Sequence, residues 1–216
     1  MTAHAPIPDF AAARRAMIEN QLRPQGVTDH GALAAMGAVP RERFVADDAR
    51  ALAYVDRAVA IGEGRFMPAP AVLGLLLTQL APAPGERALV VGAGSGYSAA
   101  VLAEIGLAVT ALEENAALAK RARDLGLNVV QGPLVAGHKK GAPYDLILID
   151  GAVEHVPDAL VQQLADGGRL GTALVERGIT RLIVGRKAGG SFGHLSVGDA
   201  GVPALPGFSR PRGFTF

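Results

Sequence analysis

From Arg87 onward the chain alternates short apolar runs with stretches whose apolar residues recur every three or four positions. Ala88-Leu89-Val90-Val91 is a continuous apolar run, the mark of a strand covered on both faces. Ala108–Leu112, Asn128–Gln131, Tyr144–Ile149, Arg169–Val175 and Arg181–Gly185 read as further strands. Helices are expected over about Tyr97–Glu104, Asn115–Leu125 and Asp158–Leu164, with Gly106 and Gly126 standing where the first two would end. Before Arg87 the period is mainly helical. It predicts helices at about Phe10–Arg23 and Asp29–Gly37, the second opened by Thr28 or Asp29, a short one near Arg41–Ala51, and one from Pro70 through Leu80. Ile61-Gly62-Glu63-Gly64 reads as a turn, and the first ten residues as a loose tail. Strands alternating with helices imply an α/β fold: a mostly parallel, twisted sheet with helices on both faces. The expectation is one domain over residues 1–216, with a helical lobe at 10–70 and a sheet core at 71–216.

Composition narrows this picture. Of 216 residues, 50% are hydrophobic, enough to bury a core. Lys and Arg (21) nearly balance Asp and Glu (20), and the net charge of +1 gives no argument for a nucleic-acid or membrane-surface partner. His138-Lys139-Lys140 is basic but has no aromatic neighbour to stack a base, so it reads as a solvated loop tip. The absence of cysteine excludes disulfides, thiolate zinc sites and cysteine nucleophiles. The longest oily stretch, Ala69–Ala83, is interrupted by Pro70, Gly74, Gln79 and Pro82 and falls short of the ~20 residues that span a bilayer. The start of the chain lacks the apolar run of a secretory signal, and the expected location is the cytoplasm.

The chemistry-bearing segment is Gly92-Ala93-Gly94-Ser95-Gly96, set between the first sheet strand and its helix. Glycines there admit positive φ and a close approach of ligand to backbone, and the helix start offers free N–H donors. Glu113 follows Gly92 by 21 residues, at the end of the second strand, where a carboxylate can accept from both ribose hydroxyls of an adenosine group. Together they point to a nucleoside-containing cofactor; a ligand-free glycine turn is the blander reading. A nicotinamide fingerprint requires glycine at 97, where this chain has Tyr97. Asp150 ends another strand, at the sheet edge where open α/β folds hold ligands, or else caps the next turn. Glu154-His155 follows it, and Phe208, Phe214 and Phe216 are expected to dock the tail.

Several segments resemble the protein-L-isoaspartate O-methyltransferase family: Met36-Gly37-Ala38-Val39-Pro40-Arg41 with Phe44-Val45, Ala53-Tyr54-Val55-Asp56, and Ile61-Gly62-Glu63-Gly64. The match continues through Pro70, Gly92-Ala93-Gly94-Ser95-Gly96-Tyr97, Ala142-Pro143-Tyr144-Asp145 and Gly167-Gly168-Arg169-Leu170. The resemblance implies a Rossmann-like class I methyltransferase. Such an enzyme moves methyl from S-adenosylmethionine to the carboxylate of an isoaspartyl residue in a protein or peptide, leaving S-adenosylhomocysteine. It implies cofactor contacts at Gly92, Ala93, Gly94, Ser95, Gly96, Tyr97, Glu113 and Asp150. Where the family usually reads Gln-Thr-x-Ser-x-Pro, with hydroxyls that hold the substrate carboxylate, this chain has Arg65, Phe66, Met67, Pro68, Ala69 and Pro70. Val90 and Pro133 likewise stand at usually acidic positions. Arg65, as a two-pronged carboxylate clamp, and Asp150 are the candidate catalytic residues, with a plain surface arginine as the alternative for Arg65. The departures leave open a member with another acceptor or a noncatalytic cofactor-binding relative. A metal-dependent enzyme built on Tyr144-Asp145 and Asp150 is a weaker third reading, and no metal ligands are assigned. Oligomeric state is left open.

Overall fold

The computed structural model describes residues 9–210. At its centre is a seven-stranded sheet in the order β5-β4-β3-β6-β7-β8-β9. The strands are β3 (Arg87–Val91), β4 (Ala108–Glu113), β5 (Val129–Gln131), β6 (Tyr144–Val153), β7 (Leu164–Glu176), β8 (Ile179–Ala188) and β9 (Ser191–Asp199). From β5 to β7 every pairing is parallel, and β8 and β9 close the far edge antiparallel. Alternation along the buried strands sorts their side chains onto two faces. Ala88, Val90, Leu146 and Leu148 join one apolar cluster; Leu89, Val91, Ile147 and Ile149 join the other. The first face also packs Met17, Leu22, Leu33 and Met36 from α1 (Phe10–Met17), the π-helical turn after it (Ile18–Leu22) and α2 (His30–Ala38). It is completed by Leu77 and Leu80 of α3 (Pro70–Leu80), Leu102 of α4 (Tyr97–Ile105) and Leu118 of α5 (Ala116–Asp124). The second face is covered more thinly, by the short α6 (Asp158–Val161) and by Leu134, Leu205 and Phe208.

Local chemistry explains the helix starts. Asp9, Asp29 and Asn115 each cap a helix by accepting from backbone N–H groups of its first turn, and Pro70 opens α3 at a position that needs no amide donor. The expected helix near Arg41–Ala51 forms instead as two 3₁₀ turns, Arg41–Arg43 and Asp47–Leu52. Two strands beyond the expected six lie around the segment read as a turn: β1 (Val59–Gly62) and β2 (Arg65–Met67) pair antiparallel as a hairpin. Three successive residues at its bend, Gly62, Glu63 and Gly64, have φ of 96°, 54° and 67°. Strand β9 is the other unexpected element. Its sequence, Ser-Phe-Gly-His-Leu-Ser-Val-Gly-Asp, lies mostly exposed at the sheet edge, so its apolar signal is weak. Phe208 is buried as expected, whereas Phe214 and Phe216 lie outside the described residues.

Candidate functional site

The first strand of the parallel core, β3, runs into the glycine turn at its carboxyl end. Gly92, Gly94 and Gly96 all have positive φ (72°, 57° and 101°), so each position selects glycine by backbone conformation alone. The amides of Gly92 and Ala93 both donate to Leu112 O, which lashes the turn to the end of β4. The next residue on β4 is Glu113, 0% exposed. Its Oε2 accepts from Gly94 N at 2.7 Å, and its Oε1 from Glu114 N and Asn115 N, each at 3.0 Å. A buried carboxylate is costly unless hydrogen-bonded and paired, and backbone donors from two segments hold this one in place.

Its charge partner comes from the hairpin. Arg65 Nη1 donates to Glu113 Oε1 at 3.1 Å, and Arg65 Nη2 donates to Gly92 O at 3.2 Å. The side chain arrives there by strand alternation: Arg65 and Met67 face inward on β2, while Phe66 between them faces out and is 47% exposed. Arg65 is not the plain surface residue of the alternative reading: it is buried, and its guanidinium is engaged by the chain's own Glu113 and Gly92.

Asp150 lies further along the same sheet edge, on β6. Ser98 Oγ, in the first turn of α4, donates to Asp150 Oδ2 at 2.6 Å. Burial pushes the Asp150 carboxyl up to about 6, and the Ser98 hydrogen bond and the charges of Arg41 and Arg65 pull against that rise. Tyr97 is buried beside it, and its hydroxyl has no hydrogen-bond partner. Burial raises the phenol's pKa, opposed by the Arg41 guanidinium, which stacks 4.7 Å from the ring centroid. Arg41 is 1% exposed and donates to Ala53 O at 2.8 Å and Pro68 O at 2.5 Å, so it ties the helical lobe to the segment after the hairpin. Ser95 Oγ donates to Phe44 O and adds a second tie.

The space enclosed is small. A cavity of about 10 Å³ is walled by Gly92, Ala93, Gly94, Ser95, Tyr97 and Asp150 from the sheet side and by Ile61, Phe66 and Met67 from the hairpin side. That is room for about one water. The structure thus brings Asp150 and every predicted residue of the turn except Gly96 around one point, and Arg65 adjoins it through Gly92 O. Gly96 serves packing: a Cβ there would run into Leu127 and Ala122. Glu113 meets the group through Arg65 and Gly94. Sequence reasoning missed Ser98 and Arg41 as members of the site. Ser98's only signal was its position one residue into α4, and Arg41's was its place at the end of the Met36–Arg41 segment that carries the family resemblance.

The other candidates lie elsewhere. His155 Nδ1 contacts Phe208 O at 3.2 Å, and Glu154 binds Arg210, which fastens the final described segment. Asp145 accepts from Arg87 N at 2.8 Å near the start of β6, five residues from Asp150 on one strand. At about 3.3 Å per residue the two carboxylates are too far apart to share an ion, which removes the metal-dependent reading in the form expected. Among the described residues no group of three His, Asp or Glu gathers at metal-binding distance.

The family model described as protein-L-isoaspartate(D-aspartate) O-methyltransferase matches residues 12–192. A protein-L-isoaspartate O-methyltransferase of Methylorubrum extorquens (strain PA1) is 45% identical over 175 residues, 78% of this chain and 77% of its own length. A Marinobacter nauticus protein named protein-L-isoaspartate O-methyltransferase 2 is 38% identical over 209 residues, 91% of this chain and 94% of its own length. Among solved structures, a Plasmodium falciparum protein-L-isoaspartate O-methyltransferase in complex with S-adenosyl-L-homocysteine superposes with a TM-score of 0.77. It is 23% identical and covers 89% of this chain and 97% of its own, a likeness of fold.

Proposed function

The chain belongs to the protein-L-isoaspartate(D-aspartate) O-methyltransferase family, and from that membership we propose that it is an S-adenosylmethionine-dependent methyltransferase acting on the carboxylate of isoaspartyl residues in proteins. The observation that carries the reading is Glu113: a fully buried carboxylate at the end of β4, fixed by three backbone amides beneath a glycine turn. The donor set fits a nucleoside cofactor. Glu113 is an acceptor for ribose hydroxyls, the turn offers backbone, and Asp150 offers a second carboxylate for a cationic group such as an amino-acid ammonium. Tyr97 adds a buried wall to the same cavity. In this closed arrangement the volume is filled by the chain's own side chains.

When bound, S-adenosylmethionine supplies a methyl group on a sulfonium centre. A carboxylate is already a sufficient nucleophile for such a carbon, so the chain's residues have no proton to move at the attacking oxygen. Their work is to hold two partners in line and exclude water. Glu113 and the turn hold the cofactor side. Ile61, Phe66 and Met67 of the hairpin, with Pro68 after it, wall the acceptor side, where apolar groups stand in place of the family's usual hydroxyls. Burial raises the Asp150 carboxyl's pKa, and the Ser98 hydroxyl orients it.

The same reading takes residues 1–216 as one methyltransferase unit, with an acceptor-side lobe at 10–70 and a cofactor core at 71–216. It takes isoaspartyl proteins or peptides as substrates, involves no nucleic acid or membrane, and places the enzyme in the cytoplasm. No described helix is long and apolar enough to cross a membrane. The test is methyl transfer from labelled S-adenosylmethionine to matched isoaspartyl and aspartyl peptides. Selective labelling of the isoaspartyl peptide is expected; equal labelling of both, or of neither, contradicts the assignment of acceptor.

A further inference from the structure

Two of the positions that a nucleoside would use are filled by one hairpin. Glu113 carries the Arg65 guanidinium. Gly94, whose φ of 57° and missing side chain leave its Cα bare, faces Ile61: a Cβ built there would lie 2.6 Å from Ile61 Cδ1. Arg65 and Ile61 sit on the inward faces of β2 and β1, so a single rigid motion of residues 59–67 would uncover both positions together. By contrast, the spaces beside Gly92 and Gly96 are taken by Leu205 and Leu127, which belong to the body of the fold and would stay.

The hairpin is lightly held. It has four residues in one strand and three in the other, too little to be stable alone. Its pairing is irregular between Ala60 and Gly62, and its bend holds Glu63, a non-glycine residue, at positive φ. Among the described residues, apart from apolar contacts and the backbone bond from Ala46 N to Ala60 O, three polar ties fix it. These are Arg65 to Glu113 and Gly92, Asn115 Nδ2 to Glu63 Oε2 at 3.4 Å, and Arg121 Nη1 to Ile61 O at 3.4 Å. The last two are long for hydrogen bonds. The Arg65 tie is the strong one.

We propose that Arg65 is an intramolecular occupant of the ribose seat: it latches the β1–β2 hairpin over Glu113 and Gly94, and cofactor enters only when the hairpin lifts and the guanidinium leaves. The proposal rests on the reading of Glu113 as the ribose seat. Its chemistry is a competition for one carboxylate. A ribose presents hydroxyl donors to Glu113; Arg65 presents charged N–H donors from within the chain, at high effective concentration. Every cofactor molecule bound must displace that side chain, so apparent affinity is reduced by the fraction of molecules held closed. Removing Arg65 leaves Glu113 with its three backbone donors, so the carboxylate stays ordered and available.

The test is calorimetric titration of S-adenosylhomocysteine into the full chain and into Arg65→Gln and Arg65→Ala. Glutamine keeps much of the side chain's bulk but removes the charge. Binding at least tenfold tighter in both variants is expected. Measurable binding by the unaltered chain that is equalled or weakened in the variants overturns the latch and leaves the cofactor reading standing. No binding by any of the three removes the cofactor reading itself, and the latch falls with it. Hydrogen exchange on the unaltered chain covers the case in which the variants fold poorly. With saturating S-adenosylhomocysteine, amides of residues 59–67 are expected to lose protection while those of 92–97 gain it. Unchanged or increased protection over 59–67 overturns the proposal.

Discussion

Two regions meet at Glu113, and they reach it by different routes. The glycine turn and the end of β4 are neighbours in a parallel sheet, held in register from Arg87↔Ala108 to Val91↔Leu112 and buried on both faces. The hairpin at residues 59–67 is a separate two-stranded piece laid over them, with no strand in the main sheet. The first region is a scaffold whose geometry follows from its topology. The second is a cover seated by the buried side chains of Val59, Ile61 and Met67 and by a few polar contacts, without the strand pairing that fixes the first. The same ion pair therefore has two meanings: for Glu113 it completes the set of donors on a carboxylate already anchored by backbone, while for Arg65 it is the principal polar tie.

The largest expected effect breaks the scaffold side. Glu113→Ala strips the acceptor from three backbone amides and leaves Arg65 without its carboxylate. We expect a loss of about 3 kcal/mol or more in unfolding free energy by denaturant titration, together with loss of S-adenosylhomocysteine binding. Next comes a pair of glycines at similar φ. Gly96 has φ 101° and a Cβ there would strike Leu127 and Ala122, whereas Gly62 has φ 96° and open space around it. Gly96→Ala is expected to cost about 3 kcal/mol, strain plus overpacking, and Gly62→Ala about 1 kcal/mol, strain alone. Equal costs measured by the same titration would mean that the turn is no more constrained than the hairpin.

The smallest effect is read through pH. Burial raises the Asp150 carboxyl to about 6 from its ordinary value of 3.8, so the folded state holds its proton more tightly than the unfolded one. Its contribution to stability is thus fully present below about pH 4 and is lost as pH rises through about 6. Asp150→Asn removes this titration while keeping an acceptor for Ser98. Relative to the variant, the unaltered chain should lose on the order of 1 kcal/mol in stability between pH 4.5 and 7.5, a shift visible in thermal unfolding across that range. Parallel pH profiles for the two proteins would place the carboxyl in ordinary solvent.

The contrast also separates what was readable from the chain alone. Glu113 and the turn were legible because βα units in a parallel sheet convert sequence spacing into position: 21 residues from Gly92 to Glu113 is one strand-to-strand circuit. Arg65 was legible as a candidate and not as a place. Three residues of β2 are too few to display a period of two, and the partner lies 48 residues away. Asp150 was legible as a candidate, but its pairing with Ser98, 52 residues away, was hidden for the same reason. The expected turn at Ile61–Gly64 was correct at its bend and silent about the strands around it, because Val59–Gly62 and Arg65–Met67 are short and one carries a charge inward. Strand β9 went unread because an exposed edge strand needs few apolar residues.

The most direct test of the account is a crystal structure of the protein grown with S-adenosylhomocysteine, read at Glu113. The account predicts the ribose hydroxyls on the Glu113 carboxylate, with the Arg65 guanidinium withdrawn and Ile61 lifted from Gly94. A ligand bound while the contacts of Arg65 to Glu113 and Gly92 O remain in place would contradict it.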